Sequence, residues 1–179
     1  MKFSHLLLAA GIAMTGSATA ADYTWGDLTG TAVAATIYQP SAGLFEDHHF
    51  FGVTTPSAAT AVISDIAIMP LLNIDSLTAG VYEDLGTVGA ADPADSLLAA
   101  LGASDTIVGS VTLPASGAYY VKVTGVSTGA GFELSGSPPP EHGAYFFDFA
   151  TVPVPEAETW AMLLAGLGFL FLKLRRSAS

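Results

Sequence analysis

Hydrophobic positions along this chain fall into three regimes. Near the start, Leu6–Met14 (LLLAAGIAM) is a short unbroken apolar run. Near the end, Trp160–Leu172 (WAMLLAGLGFLFL) is thirteen residues without a charge. Between them, apolar and polar residues alternate in short stretches separated by Gly, Pro, Ser and Asp, which is the period-two pattern of half-buried strands. The spacing predicts strands over Thr31–Tyr38, His49–Val53, Thr60–Met69, Ala118–Val126, Gly131–Leu134 and Ala144–Thr151, with weaker ones over Gly80–Val88 and Thr106–Leu113. In the third of these, Val62, Ser64, Ile66 and Ile68 share a face. In the strand around Tyr120, Tyr119, Val121, Val123 and Gly125 alternate with Tyr120, Lys122, Thr124 and Val126. Pro114 and Gly117 build the turn that precedes it. Ala94–Leu101 (ADSLLAAL) departs from the pattern and predicts one or two helical turns, with Asp92-Pro93 as the start signal. Strands at spacings near ten residues make an all-β domain, an antiparallel β-sandwich or jelly roll.

The two apolar ends have a different logic. Lys2, the run Leu6–Met14 and the small-x-small site Ala18-Thr19-Ala20 read as a secretory signal peptide over residues 1–20, cut before Ala21. Thirteen helical residues at the other end cover roughly 20 Å, against a hydrocarbon core of about 30 Å. A single C-terminal transmembrane helix over 159–172 is therefore short, and spans with lysine snorkelling or local thinning. Lys173, Arg175 and Arg176 form the cytoplasmic basic end and leave the β-domain outside. Glu156 and Glu158 sit at the helix N-terminus, where negative charge is favoured.

Charge changes the picture further. Fourteen acidic residues lie between Asp22 and Val154, with Lys122 as the single Lys or Arg, a formal charge of 1 − 14 = −13. Such a domain repels nucleic acid and anionic lipid, which excludes a DNA- or RNA-binding role. The absence of cysteine excludes disulfides and thiolate metal sites.

The tail carries a resemblance. Val154-Pro155-Glu156-Ala157-Glu158-Thr159-Trp160-Ala161-Met162-Leu163-Leu164-Ala165-Gly166-Leu167-Gly168, followed by the basic pair, resembles a PEP-CTERM sorting tail. Its sorting motif is Pro155, Glu156 and Ala157, with alanine where the name-giving triplet has its second proline. The resemblance implies an exosortase partner in the membrane that cuts the tail, in Gram-negative bacteria that make exopolysaccharide and form biofilm. It implies export through the inner membrane, transient anchoring there, and a final place at the cell surface or outside it. Residues 1–20 are then signal peptide, 21–152 the acidic β-sandwich, and 153–179 the sorting tail. Phe45-Glu46-Asp47 resembles the start of the Phe-x-Asp-x-Phe motif of one PEP-CTERM subgroup, although His49 stands where the second Phe belongs.

Candidate chemistry is sparse. There is no Gly-x-Ser-x-Gly, Walker loop, Gly-x-Gly-x-x-Gly or His-Glu-x-x-His, and nothing requires an enzyme. Glu46-Asp47-His48-His49, with His142, gathers potential metal ligands, but adjacent histidines in a strand point to opposite faces, which favours a polar strand entry. No cofactor is expected. Calcium suits the acids in loops (Asp65, Asp75, Glu83, Asp84, Asp92, Asp95, Asp105), and plain solubility accounts for the same residues. Tyr23, Trp25, Tyr82, Tyr119, Tyr120 and Tyr145 would stack sugars if exposed and coplanar, making a carbohydrate-binding module the alternative to a non-enzymatic matrix protein. A hydrolase would need Asp148 beside a second carboxylate.

Overall fold

The computed structural model describes residues 20–131, 141–154 and 157–177. Strands β1 (Ala20–Asp27), β2 (Ala32–Gln39), β3 (Gly43–Val53), β4 (Ser57–Asp65), β5 (Ile74–Glu83), β6 (Ser96–Ala103), β7 (Thr106–Leu113), β8 (Gly117–Ser127) and β9 (Gly143–Pro153) are followed by helix α1 (Ala157–Ser177). They form two sheets, ordered β1-β3-β8-β5-β6 and β2-β9-β4-β7. Every ladder is antiparallel except β1 with β3, which runs parallel at the edge of the five-stranded sheet.

Alternation places the core. On the four-stranded sheet, Val33, Ala35 and Ile37 of β2, Ala59, Ala61 and Ile63 of β4, and Tyr145, Phe147 and Phe149 of β9 turn inward. They meet Phe45, Phe51 and Val53 of β3, Leu77, Ala79 and Val81 of β5, and Tyr119, Val121 and Val123 of β8. Each fully buried large side chain contributes roughly 2 kcal/mol. Gly125 belongs to this inner row because a Cβ there would stand 2.8 Å from Ile74 Cγ2 and 2.9 Å from the Phe45 ring.

Several expectations are corrected. Ala94–Leu101 is no helix: Ser96–Ala103 is edge strand β6, paired with β5. Asp92 starts no helix: its Oδ1 accepts Ala94 N–H at 2.7 Å and closes a turn. A one- or two-turn helix is marginal alone. As a strand, the same residues satisfy the β5 edge and bring Leu98 and Leu101 onto the core. The strand expected over Gly80–Val88 instead spans Ile74–Glu83, and the chain turns at Asp84, whose Oδ2 accepts Gly89 N–H at 2.7 Å. β4 stops at Asp65, and its buried face is Ala59, Ala61 and Ile63, opposite the row led by Val62. β3 starts six residues before the expected His49, and β1 was not anticipated as a strand. Residues 132–134 of the strand expected over Gly131–Leu134 lie outside the described residues, as do residues 1–19 of the signal segment.

The C-terminal helix covers Ala157–Ser177, longer at both ends than 159–172. Among the described residues no helix is long and apolar enough to cross a membrane.

Candidate functional site

Two networks arise from the alternation of β3. Phe45, Asp47, His49 and Phe51 face the core, and Glu46, His48 and Phe50 face outward, so the four consecutive polar residues are divided between the two sides of the sheet. Among the described residues no group of three or more His, Asp or Glu is placed to hold a metal ion. His142 lies apart, with Nδ1 donating to Gly129 O at 2.9 Å.

The inner network is a buried relay. Trp25 Nε1 donates to His49 Nδ1 at 3.3 Å, and His49 Nε2 lies 2.9 Å from the Tyr145 hydroxyl. Tyr145 donates onward to Asp47 Oδ2 at 2.7 Å, which also accepts Gln39 Nε2 at 2.7 Å. Asp47 Oδ1 accepts the Ala21 N–H at 3.3 Å. Since Nδ1 is an acceptor here, the His49 proton sits on Nε2 and donates to Tyr145, so a neutral imidazole satisfies every atom in the row. Burial agrees, pressing the His49 pKa down to about 3, with the nearby His48 adding to it. Burial also pushes Asp47 up to about 6, against the opposing donors Tyr145, Gln39 and Ala21 and the charge of His48. The Tyr145 hydroxyl is raised by burial and by Asp47. The His49 ring stacks on Phe147 at 3.9 Å and on Tyr23 at 4.8 Å, and Trp25 stacks on Phe147 at 6.0 Å. Trp25, one of the aromatics expected to stack sugars if exposed, is instead half-buried against these rings. It caps the relay from the edge strand.

The outer network is charged. His48 lies between Asp22 Oδ1 at 3.0 Å and Glu46 Oε1 at 3.1 Å, and Lys122 Nζ pairs with Glu46 Oε2 at 2.6 Å. Partial burial works to raise the Glu46 pKa, but Lys122 and His48 outweigh it and hold the carboxyl below its ordinary value. Beside this network opens a cleft of about 320 Å³, lined in part by Glu46, Tyr82, Asp92, Pro93, Tyr120 and Lys122. Tyr82 and Tyr120 stack at 5.0 Å, and Tyr120 donates to Asp95 Oδ2 at 3.2 Å.

The loop acids have local work. Asp95 accepts the N–H groups of Leu85 and Asp92, Asp92 accepts those of Thr87 and Ala94, and Asp75 accepts from the Asn73 amide. Slight burial raises Asp95, but these donors and Tyr120 outweigh it and leave its pKa low. Of the aromatics, Tyr119, Tyr120 and Tyr145 are buried and Tyr23, Trp25 and Tyr82 half-buried, so together they make no exposed platform. Asp148 is flanked in its ladders by Ala34 and Val62.

The sorting tail begins where the sandwich ends. Thr151, buried, donates to Leu28 O and accepts Gly30 N–H, Pro153 pairs with Ser57, and Val154 N–H donates to Pro56 O at 2.9 Å. The chain is thus still strand up to Pro153, the first residue of the expected tail. Pro155 and Glu156 lie outside the described residues, Ala157 opens α1, and Lys173 is exposed near its far end, ahead of Arg175 and Arg176. Of the cleavage residues, Ala18 lies outside the described residues, while Ala20 and Ala21 open β1.

Comparison with solved structures finds similarity to the pre-peptidase C-terminal domain of collagenase from Bacillus anthracis, with 13% identity and a TM-score of 0.43 over 76% of this chain and 99% of that one. No curated protein matches the chain. A family model for the PEP-CTERM protein-sorting motif matches residues 153–177, from the last paired residue of β9 through α1. The chain carries a PEP-CTERM protein-sorting motif, which implies export, sorting to the cell surface and an exosortase as processing partner.

Proposed function

We propose that this protein is a non-enzymatic component of the cell surface or extracellular matrix, delivered by a cleaved signal peptide and associated with exopolysaccharide in a biofilm. One observation carries the reading: the sorting motif at 153–177 abuts a closed β-sandwich with no intervening linker before Val154. The apolar stretch of α1 engages the inner membrane transiently, with Lys173, Arg175 and Arg176 on the cytoplasmic side. Its thirteen residues are short for a bilayer, so long basic side chains reach the headgroups and the membrane thins around it. Exosortase cleavage then frees the acidic domain.

The test is the intact mass and location of the protein in cells with and without the exosortase. The reading expects a form that starts at Ala21 and loses its tail only when the enzyme is present. A tail retained in both strains would overturn it.

The outer cleft favours a second reading, a carbohydrate-binding module, because Tyr82 over Tyr120 offers a ring beside Glu46, Asp92 and Lys122. Under that reading Tyr82→Ala weakens binding to the matrix polysaccharide at least tenfold in a sedimentation assay. Unchanged binding removes it.

A further inference from the structure

We infer that cutting the chain before Ala21 creates a docking group: the new α-ammonium of Ala21 forms an ion pair with the buried carboxylate of Asp47 and fastens β1 to the sandwich. The inference rests on the signal-peptide reading above. Hydrolysis of the Ala20–Ala21 peptide consumes one water, leaves a carboxylate on Ala20 and an amine on Ala21, and the amine takes up a proton at neutral pH.

The geometry is in place before the cut. Ala21 N lies 3.3 Å from Asp47 Oδ1, and residues 21 and 47 are register partners in the β1–β3 ladder. Asp47 is completely buried, and its Oδ2 is occupied by Gln39 and Tyr145, which leaves Oδ1 to Ala21. All three donors are neutral, although a buried charge ordinarily requires a partner of opposite sign. Lys122 is the single Lys or Arg between Asp22 and Val154, and it is committed to Glu46 on the other face of the sheet. His48 likewise faces Asp22 and Glu46, and His49 gives its hydrogen to Tyr145. A terminus at Ala21 is therefore the cation that can reach Asp47. An ammonium offers three donors in place of one amide hydrogen, and its hydrogen bond to a carboxylate is shorter and stronger than a neutral one. Ala21 is half-buried and Ala20 exposed, so the group sits at the rim with room for the extra hydrogens. β1 is paired on one side only, and a charged clasp at its first residue holds the strand that carries Tyr23 and Trp25.

The experiment uses residues 21–179 with the C-terminal helix kept in detergent, released from an N-terminal fusion so that Ala21 carries a free amine. Its titration is followed by NMR of the Ala21 Cα and Cβ resonances in protein labelled biosynthetically with carbon-13 alanine, so that the amine itself stays unmodified. An ordinary α-amine titrates near 8. The inference expects a midpoint raised by at least one pH unit, equivalent to about a tenfold shift in proton affinity, returning to the ordinary value in Asp47→Asn. It also expects N-acetylation to lower the melting temperature in the Asp47 protein and to have no such effect in Asp47→Asn. An ordinary midpoint in the unsubstituted protein overturns the inference, and that measurement stands even if Asp47→Asn fails to fold. Where the exported protein begins is a separate reading, given by its mass: a start other than Ala21 defeats the signal-peptide assignment and leaves the amine measurement intact.

Discussion

Asp47 and His49 lie two residues apart on one face of β3, and burial drives them in opposite senses. Below pH 6.5 the unfolded chain protonates His49 while the fold refuses the proton until about pH 3. Stability is therefore lost as pH falls through that window, by up to about 5 kcal/mol. Asp47 does the reverse. The fold keeps its proton up to about pH 6, whereas the unfolded chain releases it near 3.8, so stability is lost as pH rises between those values, by about 3 kcal/mol. Between about pH 4 and pH 6 the two slopes oppose each other at about 1.4 kcal/mol per unit and nearly cancel. Asp47→Asn removes one limb, and urea denaturation should then show about 3 kcal/mol lost from pH 6 to pH 4. His49→Gln removes the other, and stability should rise over the same fall in pH. Flat profiles in both variants would mean that the relay does not hold one proton between these residues. In a chain beginning with a free Ala21 ammonium the Asp47 share shrinks, and the acid loss through His49 emerges without any substitution. The partition of Glu46 and His48 from Asp47 and His49 was legible from strand alternation alone. Tyr145 and Gln39 were not, because β9 and β2 bring them from 98 and 8 residues away and nothing local in the sequence marks them as partners.

At the level of elements, the strands that sequence patterning located well combine β-formers with clear turn residues: β2, β7, β8 and β9. β6 failed because Leu and Ala favour helix intrinsically, and only the open edge of β5 and the burial of Leu98 and Leu101 decide otherwise. β1 was invisible for a related reason. Its pairing with β3 is parallel and its inward residues, Tyr23 and Trp25, acquire meaning only once His49 and Phe147 are beside them. The loop between β5 and β6 shows how acids organise a segment without regular structure. A Cβ at Gly86 would overlap the Asp92 carboxylate, which accepts Thr87 N–H at 2.8 Å and Ala94 N–H at 2.7 Å. Gly86→Ala should therefore cost about 1–3 kcal/mol and loosen the Asp95 contact to Tyr120. Thermal melts with near-ultraviolet circular dichroism check this, and an unchanged tyrosine signal at an unchanged midpoint would defeat it. In the core, Gly125→Ala should cost a similar amount, because Ile74 and Phe45 stand 2.8–2.9 Å from the added methyl.

For the whole molecule, the consequence of a sorting motif fused to a central strand is that the domain limits where its own tail can be cut. β9 lies between β2 and β4, so both its edges are hydrogen-bonded, unlike an edge strand that peels from one side. Its end is held by the buried Thr151, whose hydroxyl joins Leu28 and Gly30, and by Val154 N–H on Pro56 O. A protease acting before Ala150 would have to open both ladders and expose Phe149, at a cost approaching that of unfolding the sandwich, and one acting between Ala150 and Pro153 would have to open the β4 ladder and free the buried Thr151. By contrast, the core cluster draws its residues from the strands and the loop at Leu28, and Ala161–Leu170 of α1 are exposed. Among the described residues, removing the chain beyond Val154 takes nothing from that core. The processed protein should accordingly end at residue 154 or later, and a chain truncated after Val154 should melt within about 2 °C of the chain that keeps its helix, whereas one truncated after Ala150 loses Thr151 and should melt several degrees lower, since 1 kcal/mol shifts a domain of this size by about 2–8 °C. Mass spectrometry of the exported protein and melts of the two truncations decide the matter together. A mature C-terminus before Pro153 would mean that cleavage precedes folding of β9, so that the sandwich closes only after the tail has gone.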